Sequence, residues 1–212
     1  MKLWDKNNSG NEKIIEFTIG HDRLNDMHLI KYDLKASISH AKMLYKSNLL
    51  SEIECDRIIN ILNEMLIEAE SGELKIEKEF EDMHSKIEYI LISRLGDIGK
   101  KIHTARSRND QVLVSIQLYL IDELNNIKTE VKSLFDLLIK LANKNKDIIM
   151  PGYTHMKAAM PSSFGLWFSA YAETLIDDII SLNSTIKKVN QNTWGISDVY
   201  GTSFNIDRDF TT

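Results

Sequence analysis

Leu120-Ile-Asp-Glu-Leu-Asn-Asn-Ile-Lys-Thr-Glu-Val-Lys-Ser-Leu-Phe-Asp-Leu-Leu-Ile-Lys-Leu141 is the stretch on which the fold turns. Its Leu120, Leu124, Ile127, Val131, Leu134, Leu138 and Leu141 recur at 4,3,4,3,4,3 spacing. That rhythm keeps one apolar seam on one side of a helix for about six turns. Phe168, Ala172, Leu175, Ile179, Leu182, Ile186 and Val189 repeat it, which predicts a second long helix joined to the first by the segment around Asn143 to Pro161. Further apolar residues fall off the first seam: Val112, Val114, Ile116, Leu118, Phe135, Leu137 and Ile139. A helix that is apolar on more than one face needs more than one partner, so an oligomeric bundle is expected.

Working outward, two prolines and nine glycines in 212 residues leave few breakers, and helical spacing prevails. Asp22 to Asn48 reads as a helix carrying Leu29, Ala36, Met43 and Leu44. Ser51-Glu-Ile-Glu54 has the capping-box pattern, starting a helix that runs to Gly72. A third spans about Glu79 to Leu95, and Gly96 to Ser107 is expected to be a loop. The first eighteen or so residues read as an extended arm. The fold class is therefore all-α. A small amino-terminal helical domain with its arm (1–105) precedes the long helices of an oligomeric bundle (106–212).

Net charge is -5 and no run of five like charges occurs, which argues against a nucleic-acid surface or a polybasic membrane patch. The single cysteine, Cys55, excludes an intramolecular disulfide and a cysteine-based zinc cluster. Met1-Lys-Leu-Trp-Asp5 lacks the apolar core of a signal peptide, and no apolar run approaches the roughly 20 residues that span a bilayer. A soluble, reducing, cytoplasmic setting and a small-molecule or protein partner are expected.

Three polar clusters carry candidate chemistry. Asp82-Met-His84 comes first, with Glu88 four residues beyond His84; on a helix that pair either raises the basicity of the imidazole or is a plain exposed pair. The second is Arg106-Ser-Arg-Asn-Asp110, which holds two of only six arginines. A guanidinium can grip a carboxylate through two parallel hydrogen bonds, and Ser107 and Asn109 are good helix caps, so the segment reads either as an anion grip or as a charged capping loop. The third is Pro151-Gly-Tyr-Thr-His155, where a turn presents a hydroxyl and an imidazole that titrates near neutrality.

In this order the clusters resemble the argininosuccinate lyase family of the fumarase/aspartase superfamily. Gly152-Tyr-Thr-His155 matches an element of the whole superfamily, whereas Thr104-Ala-Arg-Ser-Arg-Asn-Asp-Gln111 discriminates this family within it. Glu81-Asp-Met-His-Ser85, Asp33-Leu-Lys-Ala-Ser37 with His40, and Gly201-Thr-Ser-Phe-Asn-Ile-Asp-Arg208 agree as well.

The resemblance implies reversible elimination of fumarate from argininosuccinate to give arginine, with no metal or organic cofactor. It implies that His155 belongs to the acid-base apparatus. Arg108, Asn109 and Thr154 would bind substrate carboxylates, Asp82 and His84 would contact substrate, and Thr18 of the arm is a further substrate-binding candidate. It also implies a tetramer whose sites draw on three subunits. By the same resemblance the bundle is incomplete in this chain, because the sequence stops at Thr212, before the family's Gly-Ser-Ser-x-Met-Pro-x-Lys-x-Asn loop with its catalytic serine and before the third long helix. Activity is therefore expected only with a complementary carboxy-terminal chain. Competing readings are another succinyl-substrate lyase of the superfamily and a non-catalytic helical scaffold.

Three departures stand out. Lys157 replaces the usual glutamine, Leu3-Trp-Asp-Lys6 replaces Leu-Trp-Gly-Gly-Arg, and Trp194-Gly-Ile-Ser-Asp-Val-Tyr200 is bulkier than the small-residue segment expected there.

Overall fold

Helices dominate the chain, as their seams require. The computed structural model describes residues 12–194 and 201–211. In order, the elements are α1 (Glu12–Ile19), α2 (Asp22–Lys46), α3 (Glu52–Ser71), α4 (Met83–Leu95), α5 (Asp97–Lys100), α6 (Arg108–Lys144), β1 (Ile149–Thr154), β2 (Lys157–Ser163) and α7 (Phe164–Val189). Single 3-10 turns cover Lys101–His103 and Asp209–Thr211. No helix among the described residues is long and apolar enough to cross a membrane. The helical expectation holds apart from one antiparallel hairpin, β1 with β2.

The chain divides into two compact units, Met1–Tyr119 with Gln191–Thr212, and Leu120–Asn190. In the first, α2, α3 and α4 enclose a core that includes Ile30, Leu34, Leu44, Ile58, Leu62, Met65, Met83, Ile87 and Leu91, all nearly inaccessible. Fully burying one such side chain contributes roughly 1.5–3 kcal/mol before entropy is charged against it. α3 begins as its sequence demands: the Ser51 hydroxyl accepts from the Glu54 amide at 3.3 Å and the Glu54 carboxylate accepts from the Ser51 amide at 3.0 Å. It ends on Gly72 in the left-handed conformation.

The second unit is α6 from residue 120 onward, the hairpin, and α7. Gly165 lets the start of α7 approach the end of α6, because a Cβ there would lie 2.6 Å from the Lys146 Cα. Little else is sealed: Ile127, Leu134, Leu137, Leu166, Trp167, Tyr171, Ile176 and Ile180 remain exposed. Val131, Phe135, Leu175, Ile176 and Ile179 line an open apolar groove.

Four local expectations are corrected. The arm is helical from Glu12, and residues 1–11, with Leu3 to Lys6, lie outside the described residues. α4 starts at Met83 rather than Glu79, because Asp82 caps it by accepting from the Ser85 amide at 2.8 Å. The stretch from Gly96 to Ser107 holds α5 and a 3-10 turn. The connection between the long helices is the hairpin, whose two-residue loop, His155 and Met156, has positive φ at both positions (48° and 64°). Two-residue hairpins prefer such turns because their twist matches the strands, but they normally recruit asparagine and glycine.

Candidate functional site

The first unit gathers polar side chains where α2, α4 and the beginning of α6 meet. α6 opens on the arginine motif because Ser107 caps it: its hydroxyl accepts from the Asn109 amide at 3.1 Å, and Asp110 accepts from the Ser107 amide at 3.2 Å. Asn109 is exposed at this end.

Arg108 turns toward α4. Its Nη1 lies 3.0 Å from Asp82 Oδ2, and its Nη2 donates to Asp82 Oδ1 at 3.2 Å and to Ser85 Oγ at 2.9 Å. The guanidinium thus grips a carboxylate in fork geometry, the mode its residue type suggests. The partner is the chain's own Asp82, which at the same time caps α4 through Ser85. Beside it, Asp26 accepts from the Met83 amide at 2.9 Å, and burial raises the Asp26 pKa against that hydrogen bond.

His84 is not an exposed partner of Glu88. It is buried, with Nδ1 3.3 Å from Asp33 Oδ1 on α2, an ion-pair contact in which neither ring nitrogen makes an aligned hydrogen bond. Burial opposes the imidazolium, yet the Asp33 carboxylate, helped by Asp82, outweighs it and raises the His84 pKa. The mirror effect holds Asp33: burial would raise it, but His84 and Arg106 keep it below the ordinary carboxylate value.

Arg106 is itself buried. Burial lowers its pKa to about 10, with Asp33, Glu88 and Asp110 opposing, so it remains a cation at neutral pH. Its Nη1 donates to Ser37 Oγ at 3.0 Å, and its guanidinium carbon sits 5.6 Å from the centre of the Trp194 ring. Trp194 also stacks on His40 with ring centres 5.1 Å apart. His40 Nε2 is 3.0 Å from the Thr104 carbonyl, and burial together with the Arg106 charge brings its pKa down to about 3. His40 is therefore neutral at physiological pH and donates its Nε2–H to that carbonyl, fixing the backbone just before Ala105. Ala105 has a left-handed φ of 59°, a costly conformation for alanine that turns the chain between His103 and Arg106.

Of the residues expected from sequence, Asp82, His84 and Arg108 converge in this unit, with Asn109 next to Arg108. Thr18 lies on α1, where its hydroxyl donates to the Ile14 carbonyl at 3.0 Å, as a helical threonine often does. Thr154 and His155 belong to the second unit, at the hairpin tip, both exposed; Thr154 pairs in register with Lys157. Arg106 belongs to the anion-gripping cluster expected from sequence, whereas Asp33, His40 and Trp194 had been given no role in the site, although the segment of Asp33 and His40 matches the family. A signal for part of this existed: Asp33, Ser37 and His40 stand at i, i+4 and i+7, a polar stripe on one face of an otherwise apolar helix. The segment 195–200 lies outside the described residues.

A family model described as "Lyase" matches residues 16–212. Argininosuccinate lyase of Phocaeicola vulgatus is 48% identical over 211 residues, covering 100% of this chain and 47% of that protein. The Bacteroides fragilis enzyme of that name is 44% identical, with the same coverage. That of Thermotoga neapolitana is 42% identical, covering 99% of this chain and 53% of its own length. The chain spans about half the length of these curated relatives. Among solved structures, EDDS lyase with formate superposes with a TM-score of 0.77 at 24% identity, covering 92% of this chain and 39% of the other. Class II fumarase from Schistosoma mansoni gives 0.72 at 18% identity, with 92% and 46% covered. At such identities these structures establish the fold alone.

Proposed function

The chain belongs to the lyase family whose model spans residues 16–212, and on that premise we propose that it forms the amino-terminal half of an argininosuccinate lyase, which eliminates fumarate from argininosuccinate to leave arginine. The observation that carries the reading is 48% identity to an enzyme of that name across the whole of this chain. The arginine motif supports it, since Arg108 already has the fork geometry that a substrate carboxylate requires.

The chemistry asks for charge stabilisation. Removing a proton beside a carboxylate loads that carboxylate with a second negative charge, and preorganised cationic and hydrogen-bonding groups lower the barrier most effectively in such a step. In this reading Arg108, Asn109 and Thr154 hold substrate carboxylates, Asp82 and His84 contact substrate, Thr18 contributes from α1, and His155 serves the proton transfers. Asp82 must then yield the Arg108 fork when a substrate carboxylate arrives. The exposed apolar faces of α6 and α7 suit a bundle completed by other helices, whether from further copies or from a complementary carboxy-terminal chain. The setting would be cytoplasmic.

The test is substrate choice. The chain assembled with a matching carboxy-terminal half is offered argininosuccinate, adenylosuccinate, aspartate and malate, and fumarate is followed by its absorbance. Release from argininosuccinate alone is expected; release from one of the others instead would replace this reading with another lyase of the superfamily.

A further inference from the structure

Asp33 has no solvent exposure, and its carboxylate is poorly served by ordinary hydrogen bonds. Oδ2 has no partner among the described residues. Oδ1 lies 3.3 Å from Ser115 Oγ, but that hydroxyl carries one hydrogen and donates it to the Gln111 carbonyl at 2.8 Å, the shorter contact. What faces the buried carboxylate is therefore the His84 ring, with Nδ1 at 3.3 Å, and the positive field of the Arg106 guanidinium. A carboxylate placed so expensively needs a reason, because an apolar side chain at this position would cost less.

We propose that Asp33 is a positioning residue: by engaging Nδ1 of His84 it fixes the ring and makes the opposite nitrogen, Nε2, a protonated donor reserved for an acidic ligand. The proposal deepens the lyase reading, in which His84 contacts substrate. A neutral imidazole can place its single proton on either nitrogen; with an anion against Nδ1, that nitrogen must be the N–H. Once the ring is also charged, Nε2 carries a second N–H. In the structure Nε2 is shut off from solvent and meets no acceptor among the described residues, so the second N–H of a charged ring would find no partner within the chain.

Every packed element contributes to the charge on this ring. Asp33 and Asp26 face it from α2, Asp82 from α4, His103 from the 3-10 turn and Arg108 from α6. Three carboxylates against Arg108 favour the imidazolium. Asp82, two residues from His84, also holds the Arg108 fork. A ligand carboxylate that takes the place of Asp82 on Arg108 arrives within the field of His84, where a cationic Nε2–H attracts it and a bare nitrogen lone pair would repel it.

The test reads the ring directly. In the chain labelled with 15N-histidine, the His84 signals are identified by their loss in His84→Gln. His84 is expected to keep both ring nitrogens protonated at pH values where exposed histidines, titrating near 6.5, are neutral. Asp33→Asn should abolish that state, whereas Ser115→Ala should preserve it. Titration with fumarate should shift the Nε2 signal, with affinity about tenfold weaker in Asp33→Asn. In the assembled enzyme the same variant should raise KM by more than it lowers kcat.

A wild-type His84 that is neutral, or that lacks a proton on Nδ1, overturns the proposal even if Asp33→Asn fails to fold. So does equal fumarate affinity in wild type and Asp33→Asn. Absence of turnover in an assembly that still shows the charged, fumarate-sensitive ring would count against the lyase reading and leave the positioning role standing.

Discussion

The two units of this chain are both built from amphipathic helices and reach opposite outcomes. In the first, Leu34, Leu44, Ile58, Leu62 and Leu91 have no measurable exposure. In the second, Leu134 is 47% exposed and Ile180 63% exposed, although both sit on helices as regular as any in the first. The difference lies in partners: α2 and α3 lie against each other and α4 closes over them, while α6 and α7 have faces with nothing from their own unit to cover them. A heptad-like seam reports that a helix must be covered and is silent about what covers it.

A second contrast accompanies the first. Polar and charged candidate residues are buried in the first unit and exposed in the second. Asp33, His84, Arg106 and Asp110 are sealed in the first unit, whereas Thr154, His155 and Lys157 stand in solvent at the hairpin tip. The largest effect should come from breaking the buried set. Arg106→Leu removes the buried guanidinium whose charge offsets the sealed Asp33 carboxylate and should lower stability by about 3–5 kcal/mol in urea unfolding monitored by circular dichroism. Nearly as large, Leu34→Ala should cost about 2–5 kcal/mol, while Leu134→Ala in the isolated chain should stay within about 0.5 kcal/mol. Equal losses would mean that the faces of α6 are covered in solution after all.

Acidity separates the units in another way. The folded His40 value, about 3, is below its unfolded value near 6.5, so unfolded chains take up a proton that folded chains refuse, and stability must fall as pH drops from 6.5 toward 3. His84 has the opposite sign: its raised value contributes stability that is full below 6.5 and is lost as pH rises through the folded value. Stability of the first unit should therefore peak near pH 6.5. His40→Gln should flatten the acid limb of a urea-midpoint profile, and an unchanged limb would contradict the assignment. Both of these buried rings lie in the first unit, whereas the second unit's one histidine, His155, is exposed at the hairpin tip.

The smallest expected change is at the hairpin. Met156 has a φ of 64° and is 97% exposed, so Met156→Gly removes backbone strain without removing packing. It should slow amide exchange in β1 and β2 through a gain of about 1 kcal/mol or less.

How much of this could be read from the sequence follows the range of the interactions. The seams of α6 and α7, the capping box at Ser51 and the glycine stop at Gly72 are local, and each was legible. The hairpin was not, because His155-Met156 lacks the asparagine and glycine that usually announce such a turn, and Pro151 and Pro161 argue against paired strands. Asp82 was visible as a site candidate but not as the cap of α4, since glutamates 79 and 81 gave the helix a plausible earlier start. The Asp33–His84–Arg106 cluster joins segments far apart in the chain. A stripe of polar residues on α2 hinted at something to be satisfied, and only the tertiary packing brought the His84 ring and the Arg106 guanidinium to it.

The most direct measurement is fumarate release from argininosuccinate by this chain, alone and mixed with the matching carboxy-terminal half of a family member, with complex formation verified by gel filtration and light scattering. The account predicts silence from the chain alone and turnover in the mixture, abolished by His155→Ala. A stable mixed complex that releases no fumarate, or turnover that survives His155→Ala, would contradict it.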